Sequence, residues 1–172
     1  MAGRTDSFDL GTLGLASGEG RRLTLTVAPG SFDFGGTNYD VEPEQVDAIL
    51  DISRMTHGGY ALRLRFSAGL AGPCMRCLEL ATPTFDVDSY DVHQPGAGDE
   101  DLTSPYMGEH GLDLEAWARD ALALALPAQI KCRPDCAGLC PRCGANLNED
   151  PGHEHEPEPD GRWSKLSELK FD

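Results

Sequence analysis

The sequence predicts an α+β fold, an antiparallel β-sheet packed by a C-terminal helix, with a zinc-knuckle cysteine cluster. Three observations point there. The first 90 or so residues alternate apolar with polar side chains between Gly and Pro turn signals, as half-buried strands do. Residues 113–126 switch to helical periodicity. The six cysteines fall in two places, Cys74-Met75-Arg76-Cys77 and the run Cys132, Cys136, Cys140 and Cys143.

The strands come in order. Arg22 to Val27 alternates and ends at Pro29-Gly30. Val46 to Ile52 continues the sheet, although Pro43-Glu44-Gln45-Val46 equally opens a short helix with Pro near its first turn. Tyr60 to Leu70 and Thr84 to Tyr90 alternate on either side of the first CxxC pair, so that pair caps a β-hairpin. Residues 93–111, HQPGAGDEDLTSPYMGEHG, hold Pro, Gly and acids without sustained periodicity and read as a surface loop. The helix follows: Asp113 is its N-cap, Glu115 lies in the first turn, and Leu114, Trp117, Ala118, Ala121, Leu122 and Ala125 form the face that covers the sheet. Leu122, Leu124 and Leu126 follow a strand-like period of two, but the Ala- and Leu-rich composition favours helix. Pro127 ends it. Trp163, Leu166 and Leu169, spaced by three, mark a short terminal amphipathic helix. The organisation is a single domain over 1–172: a strand-rich region over 1–92, an acidic loop 93–111, a helix 112–127 and a Cys/His segment 128–172.

Two thiolates separated by two residues and turned by Pro and Gly, as in Cys140-Pro141-Arg142-Cys143-Gly144, form a knuckle whose sulfurs aim at one tetrahedral ion. A closed zinc site needs four ligands, and His153 and His155 lie a short way downstream. Residues at i and i+2 of an extended segment project to one side, so both can turn inward while Glu154 faces water. Cys74, Cys77, Cys132 and Cys136 then make a second, all-cysteine site. A rival pairing joins the two CxxC knuckles, Cys74 and Cys77 with Cys140 and Cys143, and spacing does not exclude it; the helix delivering Cys132 toward the hairpin favours the first scheme. Three disulfides are the alternative use of six cysteines. The N-terminus has no basic segment followed by an apolar core, and no apolar run approaches the ~20 residues that span a bilayer, so a cytoplasmic location is expected. In that reducing compartment clustered CxxC pairs bind metal or act catalytically. A hairpin tip gives Cys74 and Cys77 no helix dipole to stabilise a reactive thiolate, which argues against a thioredoxin-like role.

The net charge of −15 opposes non-specific binding to phosphate backbones. The basic residues are partly segregated: Arg76, Lys131, Arg133 and Arg142 lie beside cysteines, and Arg63 and Arg65 share one strand face. That rim either offsets the formal charge of about −2 on a four-thiolate zinc site or contacts RNA. The acids are grouped as Asp99, Glu100 and Asp101, and from Glu149 to Asp160, as solvated faces or a seat for a basic protein partner. The sequence has no Gly-rich phosphate loop and no Ser nucleophile motif.

Taken in order, Cys74-Met75-Arg76-Cys77-Leu78, the helix end Leu122-Ala123-Leu124-Ala125-Leu126-Pro127, Gly138-Leu139-Cys140-Pro141-Arg142-Cys143-Gly144-Ala145-Asn146-Leu147-Asn148 and Asp160-Gly161-Arg162-Trp163 resemble the YceD family of bacterial and plastid proteins, the large ribosomal RNA subunit accumulation proteins. Where relatives place Cys-x-Cys after the NLN segment, this chain has His153-Glu154-His155; Gly161 replaces the Pro of the usual DPRW. The resemblance implies a non-enzymatic role in the synthesis, processing or stability of 23S ribosomal RNA. Its implied partner is a large-subunit precursor or a basic ribosomal protein, with 23S rRNA contact through Arg76, Lys131, Arg133 and Arg142. Two closed sites leave no position for water or substrate. A metal-dependent nuclease would need one site to lose a ligand, and a zinc-thiol redox sensor would need accessible, low-pKa cysteines.

Overall fold

A computed structural model describes residues 6–96 and 102–156, which form two compact units divided after Cys136. The predicted terminal helix lies outside the described residues.

The first unit is built on antiparallel strands: β1 (Ser7–Phe8), β2 (Gly20–Val27), β3 (Phe32–Phe34), β4 (Thr37–Glu42), β5 (Val46–Arg54), β6 (Tyr60–Pro73), β7 (Leu80–Ala81), β8 (Thr84–His93), β9 (Met107–Gly108) and β10 (Gly111–Asp113), followed by the helix α1 (Leu114–Ala125). The 14-residue β6 is the spine. β5 pairs with its first half and β4 with its second half on one side; β8 and β7 take the other side. β2 extends the sheet beyond β5, and β3 beyond β4.

Alternation decides the faces, because successive strand side chains point to opposite sides. Val46, Ala48, Leu50 and Ile52 of β5 and Leu62, Leu64, Phe66, Ala68 and Leu70 of β6 are buried. α1 contributes Leu114, Trp117, Ala118, Ala121 and Leu122 to the same core. Asp113 caps the helix by accepting a 2.9 Å hydrogen bond from the Ala116 N–H. Leu126 turns extended ahead of Pro127, as a residue preceding proline prefers. Each fully buried aliphatic side chain contributes roughly 1.5–3 kcal/mol, so this shared face is the main source of stability.

The opposite face of the sheet is charged. Arg22 and Arg65 both reach Asp51, at 2.5 and 2.7 Å, and Arg63 reaches Asp88 at 2.6 Å while lying over the Tyr90 ring. Arg63 and Arg65 therefore share a face, as predicted, but each faces an acid of a neighbouring strand. The hydrogen bond from Arg22 holds the Asp51 carboxyl below the usual carboxylate range; partial burial opposes this and Arg65 adds to it. A carboxylate whose pKa is lower in the folded chain stabilises fully above its unfolded pKa and loses that contribution as pH falls through its folded pKa. Asp51→Asn is expected to cost up to about 1 kcal/mol at pH 7 and progressively less as pH falls below the ordinary aspartate range. Urea unfolding of both proteins across that range checks this.

Val46–Arg54 is strand, the sheet continuation expected there, and not the alternative opening of a helix. The loop expected over 93–111 carries β9 and the start of β10, and β8 runs on through His93. β10 pairs with β1, Ser7 opposite Asp113 and Phe8 opposite Leu112. Strands of two or three residues carry no readable period, and their partner is about 100 residues away in sequence, so turn residues dominate the reading. β3, with three residues, is likewise too short to register as alternation, while β4, where Tyr39 and Val41 alternate with Asn38, Asp40 and Glu42, is a strand the sequence reading did not assign.

Gly111 is where β1 and β10 come closest. Its φ is +104°, and a Cβ there would collide with the Phe8 carbonyl. Gly111→Ala is expected to lower stability by about 1–3 kcal/mol through backbone strain and displacement of β1, read as a drop in thermal midpoint.

Candidate metal centres

The first centre is assembled where the spine strand ends. Past Pro73 the chain turns through Cys74 to Glu79: the Cys74 N–H donates to the Glu79 carbonyl at 2.7 Å and the Leu78 N–H to the Cys74 carbonyl at 2.9 Å, with Leu78 at φ +65°. This is the predicted hairpin tip. The Tyr39 hydroxyl donates to the Pro73 carbonyl at 2.7 Å, and its ring fills the space beside Gly72, where any Cβ would clash. The Met75 N–H donates to the Ile130 carbonyl at 2.8 Å, and the Ile130 N–H approaches the Met75 sulfur at 3.3 Å. These two contacts dock the chain leaving α1 onto the tip and deliver Cys132 and Cys136.

The result is a cluster of four sulfurs within 4.8 Å of one another, with Cys74–Cys136 at 3.8 Å and Cys77–Cys132 at 3.6 Å. A tetrahedron with metal–sulfur bonds of about 2.3 Å has edges of about 3.8 Å, so the donor set fits a zinc-sized thiophilic ion. Cys74 and Cys136 are fully buried and Cys77 nearly so. Burial pushes the Cys74 thiol up, but N–H groups of Cys77 and Arg76 outweigh it and hold it down at about 6. The Cys77 thiol is pushed up to about 12: the Glu79 N–H favours its thiolate, but burial and the three neighbouring sulfurs prevail. Burial raises Cys132 as well. One negative charge is easily held here, and further thiolates require a cation at the centre.

The second centre lies within the second unit. Cys140 to Gly144 closes a knuckle: the Gly144 N–H donates to the Cys140 carbonyl at 2.9 Å and the Cys140 N–H to the Ala145 carbonyl at 2.8 Å. Gly144 sits at φ +75°, a conformation that glycine adopts without strain. The Asn-Leu-Asn segment returns alongside, Leu139 bridging to Asn146, and the Asn148 side chain accepts from the Ala137 N–H at 2.8 Å. The chain then brings back His153 and His155. Cys143 Sγ lies 3.1 Å from His153 Nε2, Cys140 Sγ lies 3.2 Å from His155 Nε2, and the two Nε2 atoms are 3.0 Å apart. All four donors fall within 4.8 Å of one another. Asp150 faces His153 Nδ1 at 3.6 Å, on the side away from the cluster, where an acid orients a ligating imidazole. N–H groups of Arg142 and Cys143 lower the Cys140 thiol to about 6. Glu154 is exposed between the two histidines.

All eight residues singled out in the sequence thus fall into two sets of four, Cys74, Cys77, Cys132 and Cys136 in the first unit and Cys140, Cys143, His153 and His155 in the second. The basic residues beside the cysteines make local contacts: Lys131 donates to the Pro134 carbonyl, Arg133 faces Asp135 at 3.5 Å, and Arg142 donates to the Glu156 carbonyl. Sequence reasoning missed Tyr39, which helps position the first centre, whereas the segment Ile130-Lys131-Cys132, expected to deliver the cysteines to the hairpin, docks there through Ile130. Ile130 directly precedes Lys131-Cys132, but Tyr39 belongs to a hairpin whose proximity only the sheet register reveals. Among the described residues no helix is long and apolar enough to cross a membrane.

The comparisons fit this picture. Uncharacterized proteins of Mycobacterium tuberculosis and Mycobacterium bovis are each 39% identical over 108 residues, which cover 60% of this chain and 52% of theirs. An uncharacterized protein of Mycobacterium leprae is 31% identical over 108 residues, 60% of this chain and 49% of its own. The chain thus spans about half the length of the curated relatives it matches. No solved structure matches it. Residues 62–170, from near the start of the spine strand through both cysteine clusters, match the family described as large ribosomal RNA subunit accumulation protein YceD, and the chain belongs to that family.

Proposed function

We propose that this protein is a non-enzymatic ribosome-biogenesis factor that supports the accumulation of 23S ribosomal RNA, with zinc as a structural staple at both centres. The observation that carries the reading is the closure of both donor sets: each centre offers four protein ligands, and a four-coordinate zinc so held has no position for water or substrate. Family membership supplies the biological direction. At the first centre Cys74, Cys77, Cys132 and Cys136 would hold the ion. At the second, Cys140, Cys143, His153 and His155 would do so. Zinc held there cross-links segments that are distant in sequence and neutralises thiolates that could not otherwise coexist.

A precursor of the large subunit, or one of its basic proteins, is the partner in this reading, and the net charge of −15 favours the protein route over a phosphate backbone. Depleting the protein in its host is expected to lower 23S relative to 16S rRNA, measured on total RNA. Re-expression of the parent should restore the ratio. An unchanged ratio on depletion would reject the reading.

A further inference from the structure

Among the described residues β8 is an edge strand, paired on one side with β6 and on the other with no strand. The Leu70 N–H donates to the Pro83 carbonyl, so in the register Phe85↔Ala68, Val87↔Phe66 and Ser89↔Leu64 the odd-numbered residues of β8 exchange hydrogen bonds with β6. The even-numbered residues turn their backbone groups outward: the Val92 N–H is taken by the Asp91 side chain and the Gln94 N–H by the Leu102 carbonyl. Below that point, among the described residues, nothing pairs with the outward backbone of Asp86, Asp88 and Tyr90. Beside this edge runs a groove of about 540 Å³ walled on its other side by Ala121, Leu124 and Ala125 of α1. Leu124 is 86% exposed, although α1 otherwise turns its large apolar side chains to the core.

We propose that this groove receives a basic, extended polypeptide segment as an added antiparallel strand beside β8. A strand seated there satisfies the open N–H and C=O groups, and its side chains alternate between two different environments. Those on the open sheet face lie beside Asp86, Asp88 and the 67%-exposed Tyr90; those on the other face meet Leu124 and the two alanines. The fitting sequence therefore alternates Lys or Arg with an aliphatic residue. The charges lining the groove favour this occupant: Asp86 and Asp88 from β8, with Arg63 on the same sheet face already engaged by Asp88. A second copy of the chain is disfavoured, because β8 against β8 would set acids opposite acids. The same acids repel a nucleic-acid strand. The inference rests on the strand edge and not on the ribosomal reading, which the 23S ratio tests separately.

The probe is a short peptide alternating Lys and Val, titrated into the full-length protein with amide exchange followed by NMR. In an antiparallel addition the residues opposite Asp86, Asp88 and Tyr90 turn both their N–H toward β8 and their side chain to the open face. N-methylation of the Lys residues should therefore weaken binding on the order of 10-fold or more, while N-methylation of the Val residues should leave it nearly unchanged. Exchange should slow at Asp86, Asp88 and Tyr90. Leu124→Lys, at an exposed position that should not disturb folding, should weaken binding, and a Glu-Val peptide should not bind. Equal affinity for the Lys-methylated and unmethylated peptides would overturn the proposal, since charge alone would then explain binding. Slowed exchange confined to residues outside β8 would overturn it as well.

Discussion

Cys140→Ser is expected to remove one metal equivalent and unfold the second unit while leaving the first intact. The asymmetry follows from where the apolar core lies. Between Ala137 and Glu156, Gly138 and Cys140 are the buried residues; Leu139 and Leu147 are only half covered. Backbone hydrogen bonds and the Asn146–Asn148 brace set the turns, but they cannot offset the entropy of ordering such a segment. On the proposed zinc reading, metal binding supplies the difference. Apparent zinc binding energies in small structural sites run to about 10–16 kcal/mol at neutral pH, as large as the whole stability of a typical domain. Losing one thiolate ligand should therefore bring amide exchange of residues 137–156 to unfolded rates. His155→Ala should act in the same direction. Cys136→Ser should release the other metal equivalent and loosen the tip at residues 74–79, yet leave amide protection along β5 and β6 in place, because the apolar core supports those strands. Metal content per chain, with exchange rates on all three variants, checks these outcomes. A Cys140→Ser protein that kept both metal equivalents would refute the ligand assignment.

The candidate sites were more legible in the sequence than the sheet was. A metal knuckle is a local object: Cys140, Pro141, Cys143 and Gly144 sit within one turn, and their chemistry dictates the geometry directly. His153 and His155 followed from counting ligands. The long strands and α1 were legible for a related reason, since their periodicity extends over many residues. What escaped was non-local. The β9–β10 pair and its partner β1 total a few residues each, held by register and by the fit of Gly111 against Phe8, and neither leaves a periodic trace. The charged sheet face was half visible: Arg63 and Arg65 shared a face by parity, but their acids arrive from β5 and β8, where only pairing could place them. The acids opposite Arg63 and Arg65 were accordingly not read from the sequence.

Trp117→Ala is expected to be the most destabilising substitution outside the cysteines. Trp117 is 1% exposed and lies at the centre of the helix face, where it links three elements. Its ring stacks on Tyr106 at a centroid distance of 6.0 Å, and its indole N–H donates to the Ser89 hydroxyl of β8 at 3.0 Å. The Tyr106 hydroxyl in turn donates to Asp120, and the Tyr106 carbonyl accepts from the Asp113 N–H at the helix cap. Removing the indole leaves a cavity between helix and sheet and takes away the Ser89 contact. Truncations of this kind cost about 3–5 kcal/mol, a large part of a typical domain's stability. Trp117→Phe keeps most of the packing and loses the hydrogen bond, so it should cost about 1–2 kcal/mol. Chemical unfolding of the two variants separates the contributions, with metal content monitored in parallel. If the loss at Trp117→Ala acts through the core, the metal at Cys140, Cys143, His153 and His155 should stay bound at denaturant concentrations that unfold the sheet. That second unit carries its own four candidate ligands.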